Sequence, residues 1–92
     1  MLNLDMLKTL EDLIATIRQR KSSSDASSYT VKLLKDKSLS VEKVKEEIGE
    51  LVAAVENNSN KVHEAADVLY HLLVYLEANE IKIEDVMQEL KR

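Results

Sequence analysis

The sequence predicts an all-α fold, a compact bundle of four to five helices, and three observations carry that prediction. The 92 residues contain no proline and a single glycine, Gly49, so long stretches can stay helical without a breaker. Apolar side chains recur at spacings of three and four in several segments. Hydrophobic residues make up 45% and charged residues 33%, a packed chain's balance rather than a disordered one's. The length, residues 1–92, suits one domain with a limited core.

Each helix has its own signal. The first is expected from about Asp5 to Arg20, with Met6, Leu7, Leu10, Leu13, Ile14 and Ile17 along one side. Lys21 to Ser27 is polar and serine-rich, and reads as a loop. Ser28 is placed to cap a short helix that ends near Lys35. Ser40 is the expected cap of a third helix, Val41 to about Glu56, whose apolar positions are Val41, Val44, Ile48, Leu51, Val52 and Val55. Asn57 to Asn60 is a turn, and Asn60 is the expected cap of a fourth helix running to about Ala78. A fifth spans Ile83 to Lys91, with Lys82 a poor cap. The fourth helix is apolar around most of its circumference, which calls for burial on most sides. In so small a chain this points to a bundle completed by homodimerisation or by a higher homo-oligomer.

Composition narrows the function. With no cysteine, disulfides and thiolate metal sites are excluded. The acid-bearing start MLNLDMLKTLEDL lacks a signal peptide's pattern, and Val68 to Leu76 is too short a run to span a bilayer. A cytoplasmic protein with no membrane partner is expected. The net charge is −4, which argues against nucleic acid. It is unevenly spread: Arg18 to Lys45 sums to +5 and Glu46 to Arg92 to −7. A basic segment beside an acidic one suits an anionic, metal-bound ligand, although two oppositely charged solvated faces would look the same.

The informative feature is a pair of acidic clusters. Glu46, Glu47 and Glu50 form Glu-Glu-x-x-Glu on the third helix, and Glu64 and Asp67 form Glu-x-x-Asp on the fourth. At 100° per residue Glu47 and Glu50 lie about 60° apart, at the edge of the apolar stripe, while Glu46 points further toward solvent. Glu64, Asp67 and His71 share one narrow stripe, with Asn60 a turn earlier. Ala53 and Ala54 leave the approach open. If the two helices pack antiparallel the carboxylates converge, and they would repel one another unless a cation joined them. Oxygen ligands without thiolates favour a hard ion, Mg²⁺ or Mn²⁺. The bland alternative is a solvated acidic face, with Lys43 pairing with Glu46 and Glu47. His71 reads as a hydrogen-bonded core histidine behind the ligands, and Tyr29, Tyr70 and Tyr75 read as packing residues.

These residues resemble the metal-binding signature of the all-alpha nucleotide pyrophosphohydrolases. Ser28-Tyr29-Thr30-Val31-Lys32-Leu33-Leu34 and Glu64-Ala65-Ala66-Asp67-Val68-Leu69-Tyr70-His71-Leu72-Leu73-Val74 narrow the resemblance to the phosphoribosyl-ATP pyrophosphohydrolase branch, as does the ending from Glu84-Asp85-Val86 to Glu89-Leu90. The similarity runs from about Leu10 to Arg92. It departs at Lys45, where the family usually has Gly, and at Ile48, where it usually has Ala, and no departure removes a carboxylate.

The resemblance implies hydrolysis of phosphoribosyl-ATP to phosphoribosyl-AMP and pyrophosphate, the second step of histidine biosynthesis, by a metal-activated water. Glu47, Glu50, Glu64 and Asp67 are then the expected ligands, with Glu46 or Glu47 serving as base. Lys32 is the expected phosphate contact, followed by Arg20 and Lys43, while Ser28, Tyr29 and Thr30 either touch the nucleotide or cap and pack. Phosphoribosyl-AMP cyclohydrolase, which acts next, is a candidate partner. Two rivals stand beside this reading: a housecleaning hydrolase of other nucleoside triphosphates, and a non-catalytic helical adaptor.

Overall fold

The computed structural model describes all residues, 1–92, and contains five helices and no strand. They are α1 (Leu4–Arg20), α2 (Tyr29–Lys35), α3 (Lys37–Asn57), α4 (Lys61–Ala78) and α5 (Ile83–Glu89).

Local chemistry sets most boundaries. The Asn3 side chain accepts the N–H of Met6 to start α1, and the Ser28 side chain accepts that of Val31 to start α2. The third helix begins earlier than expected. Asp36 ends α2 and starts α3 at once, its side chain accepting the N–H of Leu39. Ser40, the expected cap, instead lies inside α3, almost fully buried, with its own N–H bonded to the Asp36 carbonyl. Asp36→Ala therefore removes a cap that serves α3, with an expected loss of about 1 kcal/mol in chemical denaturation. Ser40→Ala should show no cap loss.

The α3–α4 connection decides the site. Asn58 ends α3 in the left-handed region at φ 53°, a conformation that asparagine tolerates better than most residues. The Ser59 N–H closes back on the Ala54 carbonyl. Asn60 occupies the cap position of α4 but is itself left-handed, at φ 50°, and its side chain makes no capping bond, contrary to expectation. Only three residues separate the two helices, so they return against each other antiparallel.

Ile17, Leu33, Leu34, Leu73, Val74 and Ala78 form the core, with Leu13, Ile14, Leu39, Tyr70 and Ile83 packed around it. Each fully buried Leu or Val contributes about 1.5–3 kcal/mol. Arg18 pairs with Glu77 at 3.4 Å and with Glu84, fastening the end of α1 to α4 and α5. The all-round burial expected of α4 is not found within one chain. His71, Leu73, Val74 and Ala78 are buried, while Val62, Leu69 and Leu72 are exposed. The radius of gyration is 14.1 Å, against about 12 Å for a compact chain of this length. The first half of α1 contributes none of the buried core, and its Leu4, Met6, Leu7 and Leu10 are exposed. The fifth helix ends at Glu89, short of the expected Lys91.

Candidate metal centre

Antiparallel packing of α3 on α4 brings the two acidic clusters together. One oxygen each from Glu47, Glu50 and Glu64 lie within 4.8 Å of one another. Glu47 is only 9% exposed, which the helical wheel did not reveal: it placed this residue at the stripe's edge. Its Oε2 and that of Glu64 are buried with no hydrogen-bond partner. Two buried carboxylate oxygens without donors are costly. Burial first, and the neighbouring Glu50 second, push both carboxyls above their ordinary range.

Those orphaned oxygens are the test of fit. A divalent cation would satisfy them and cancel the repulsion among the three acids. The donor set is carboxylate oxygen with no sulfur, which matches a hard cation such as Mg²⁺ or Mn²⁺. Asp67 joins from the next turn of α4, where a second group of His63, Glu64 and Asp67 also lies within 4.8 Å. His63 Nε2 stands 3.3 Å from Asp67 Oδ2. Sequence reasoning passed over His63 because it lies off the stripe that carries Glu64, Asp67 and His71. The overlooked signal is the spacing from His63 to Asp67, one helical turn on the same face.

Behind the acids is a hydrogen-bonded wall joining α2 to α4. His71 is buried, and its Nδ1 lies 2.8 Å from the Asp67 main-chain carbonyl. A carbonyl can only accept, so Nδ1 carries the proton and Nε2 accepts from the Tyr29 hydroxyl at 2.9 Å. Thr30 bonds to the Tyr70 hydroxyl. Tyr29 stacks on Tyr70 at 6.4 Å between ring centroids, and His71 meets both rings edge-on. Burial is the main cause holding the Tyr29 phenol above its usual value.

The basic residues divide. Lys43 is near the acids and donates to Glu46 at 3.1 Å, a contact that raises its own pKa. Lys32 lines a separate hollow of about 380 Å³ with Ser24, Lys35 and Asp36, and Arg20 ends α1 in the neighbourhood of Asp25. Neither pairs with any of the five acids. Ser28 is occupied as the cap of α2. A second hollow, of about 210 Å³, opens directly beside Glu50 and Glu64 and is lined by Ala53, Ala54, Asn57, Ser59 and Asn60.

Fold and site together define a class: an all-α protein whose two most closely packed helices gather carboxylates into a cluster suited to a hard divalent cation. The family model described as Phosphoribosyl-ATP pyrophosphohydrolase matches residues 10–92. The phosphoribosyl-ATP pyrophosphatase of Rhodobacter capsulatus is 44% identical over 89 residues, covering 94% of this chain and 86% of that protein. The phosphoribosyl-ATP pyrophosphatase of Allorhizobium ampelinum is 46% identical, covering 91% of this chain and 84% of that one. The histidine biosynthesis bifunctional protein HisIE of Pyrococcus furiosus is 40% identical, over 98% of this chain and 42% of its own length. The chain belongs to the phosphoribosyl-ATP pyrophosphohydrolase family.

Proposed function

We propose that residues 1–92 act as one all-α domain that hydrolyses phosphoribosyl-ATP to phosphoribosyl-AMP and pyrophosphate in histidine biosynthesis, with Mg²⁺ or Mn²⁺ held by Glu47, Glu50, Glu64 and Asp67. The observation that carries the reading is the pair of buried, unpartnered carboxylate oxygens on Glu47 and Glu64. The bound cation would supply charge neutralisation at the phosphates and a more acidic water. The side chains do the rest. Glu46 and Glu47 are the proposed bases, Glu46 exposed and tethered by Lys43, Glu47 buried in the cluster. Lys43 is the basic group best placed to meet a phosphate as it exchanges away from Glu46. Tyr29 and Thr30 are the proposed nucleotide contacts from α2, and their side chains are held by His71 and Tyr70. Lys32 lines a hollow that contains none of the five acids, and a contact of Lys32 or Arg20 with the substrate is proposed only for its parts away from the cation.

The test is pyrophosphate release from phosphoribosyl-ATP alongside a panel of nucleoside triphosphates. The reading expects phosphoribosyl-ATP to be preferred by kcat/KM. Preference for an ordinary deoxynucleotide would assign the chain to housecleaning instead, and no hydrolysis would leave only a helical adaptor.

Self-association is part of the reading. Ile48, Val52 and Val55 are exposed on α3, on the side away from the acids, and Val62, Leu69 and Leu72 are exposed on α4. Covering that surface with a second copy would give α4 the burial its composition asks for. Val52→Glu is expected to shift sedimentation from a dimer or larger species to a monomer at equal concentration. An unchanged oligomer would remove this face as the interface. Phosphoribosyl-AMP cyclohydrolase is the proposed partner, since the Pyrococcus furiosus relative is named a bifunctional protein of the pathway. The proposed location is the cytoplasm; no helix is long and apolar enough to cross a membrane.

A further inference from the structure

We infer that His63 is a direct nitrogen ligand at one end of the cation cluster, making this site a mixed imidazole–carboxylate position that favours Mn²⁺ over Mg²⁺. The inference rests on the proposed reading that the acids hold a divalent cation, and it assigns a residue that the Glu-Glu-x-x-Glu and Glu-x-x-Asp patterns do not contain.

The geometry is that of adjacent ligands. Ligand atoms about 2.0–2.2 Å from an octahedral cation stand about 3 Å apart when they are neighbours. His63 Nε2 and Asp67 Oδ2 are 3.3 Å apart, and an oxygen of Glu64 completes a group within 4.8 Å. Glu64 belongs to this group and to the group with Glu47 and Glu50. Its carboxylate therefore faces both ends of the cluster, and its Oε2 is buried without a partner. Glu47, nine-tenths buried, belongs to the inner group and also carries an oxygen without a partner. The inner end is all oxygen. The outer end adds an imidazole, which suits Mn²⁺ and later first-row ions better than Mg²⁺.

The other histidine is not available for this role. Both nitrogens of His71 are engaged, Nδ1 with the Asp67 carbonyl and Nε2 with the Tyr29 hydroxyl. His63 is largely exposed, with 72% of its side chain accessible, so replacing it leaves the core untouched.

The experiment is electron spin echo spectroscopy of the protein loaded with Mn²⁺, in wild type and in His63→Gln, with Mn²⁺ and Mg²⁺ affinities measured by calorimetry. Wild type should show nitrogen modulation from a coordinated imidazole, and His63→Gln should lose it. The substitution should weaken Mn²⁺ binding about tenfold or more and Mg²⁺ binding less, so the preference between them falls. Bound Mn²⁺ without nitrogen modulation, or modulation that persists in His63→Gln, would overturn the His63 assignment while leaving the carboxylate site standing. Absence of Mn²⁺ binding altogether would remove the underlying reading as well.

Discussion

Glu50→Gln is expected to lower pyrophosphate release by more than about a hundredfold while the helical circular dichroism spectrum is retained. Loss of a group that merely orients a metal ligand costs about 10–100-fold, and loss of a ligand itself should cost more. Glu50 is the informative choice because it is exposed on α3, so its replacement empties no core space. It is also the member of the cluster that raises both Glu47 and Glu64. Asp67→Asn should behave alike from the other helix. The two together should cost little more than either alone, because groups that act as one unit are not additive. Undiminished turnover in Glu50→Gln would remove it from the ligand set.

The second large effect is on stability. A cation that binds the folded chain alone stabilises it by about 2.7 kcal/mol at a hundred times its dissociation constant. At about 4–8 °C per kcal/mol for a chain of this size, saturating Mg²⁺ should raise the melting temperature by roughly 10–20 °C. Protein concentration must be held fixed, because self-association moves the midpoint too. Without the cation the sign reverses for the acids themselves. Glu47 and Glu64 have carboxyls raised above the ordinary 4.5, so their contribution to stability is complete below that value. It is lost as pH rises through their raised values. Glu50→Gln removes the second cause at both carboxyls and leaves their burial, so the cation-free variant should melt above the cation-free wild type without losing the pH trend altogether. The gap should widen as pH climbs from the acid range toward neutrality. The variant should also lose most of the Mg²⁺ response. A site that sacrifices stability for chemistry behaves in this way.

Much of this was legible in the residue order. Helical spacing located α1, α2 and α4 closely, because each starts at a polar cap or follows a polar stretch. The start of α3 was not legible for a physical reason. One residue, Asp36, both ends α2 and begins α3, so no loop composition separates the two helices, and Ser40 before an apolar run imitates a cap. The carboxylate cluster could be read from its i, i+3 spacing on two helices joined by a short asparagine turn. Its depth could not. Glu47 is buried by α4, and a wheel drawn for one helix carries no information about the other. The same limit applies to His71, whose bond to Tyr29 spans 42 positions of sequence. Lys32 shares a short helix with Tyr29, yet the hollow it lines is a different one, a distinction that only the packing makes. The exposed side of α4 was read from composition as surface needing cover, and the single chain leaves it uncovered.

Crystals of the protein grown with Mn²⁺ and a non-hydrolysable nucleoside triphosphate analogue would address the shared cation position most directly, through anomalous scattering at the manganese edge. The expected result is a peak within about 2.2 Å of carboxylate oxygens from both α3 and α4, Glu47 or Glu50 on one side and Glu64 or Asp67 on the other, with phosphate oxygens completing the sphere. A saturated crystal with no peak between those helices, or with the analogue's phosphates seated elsewhere, would contradict it.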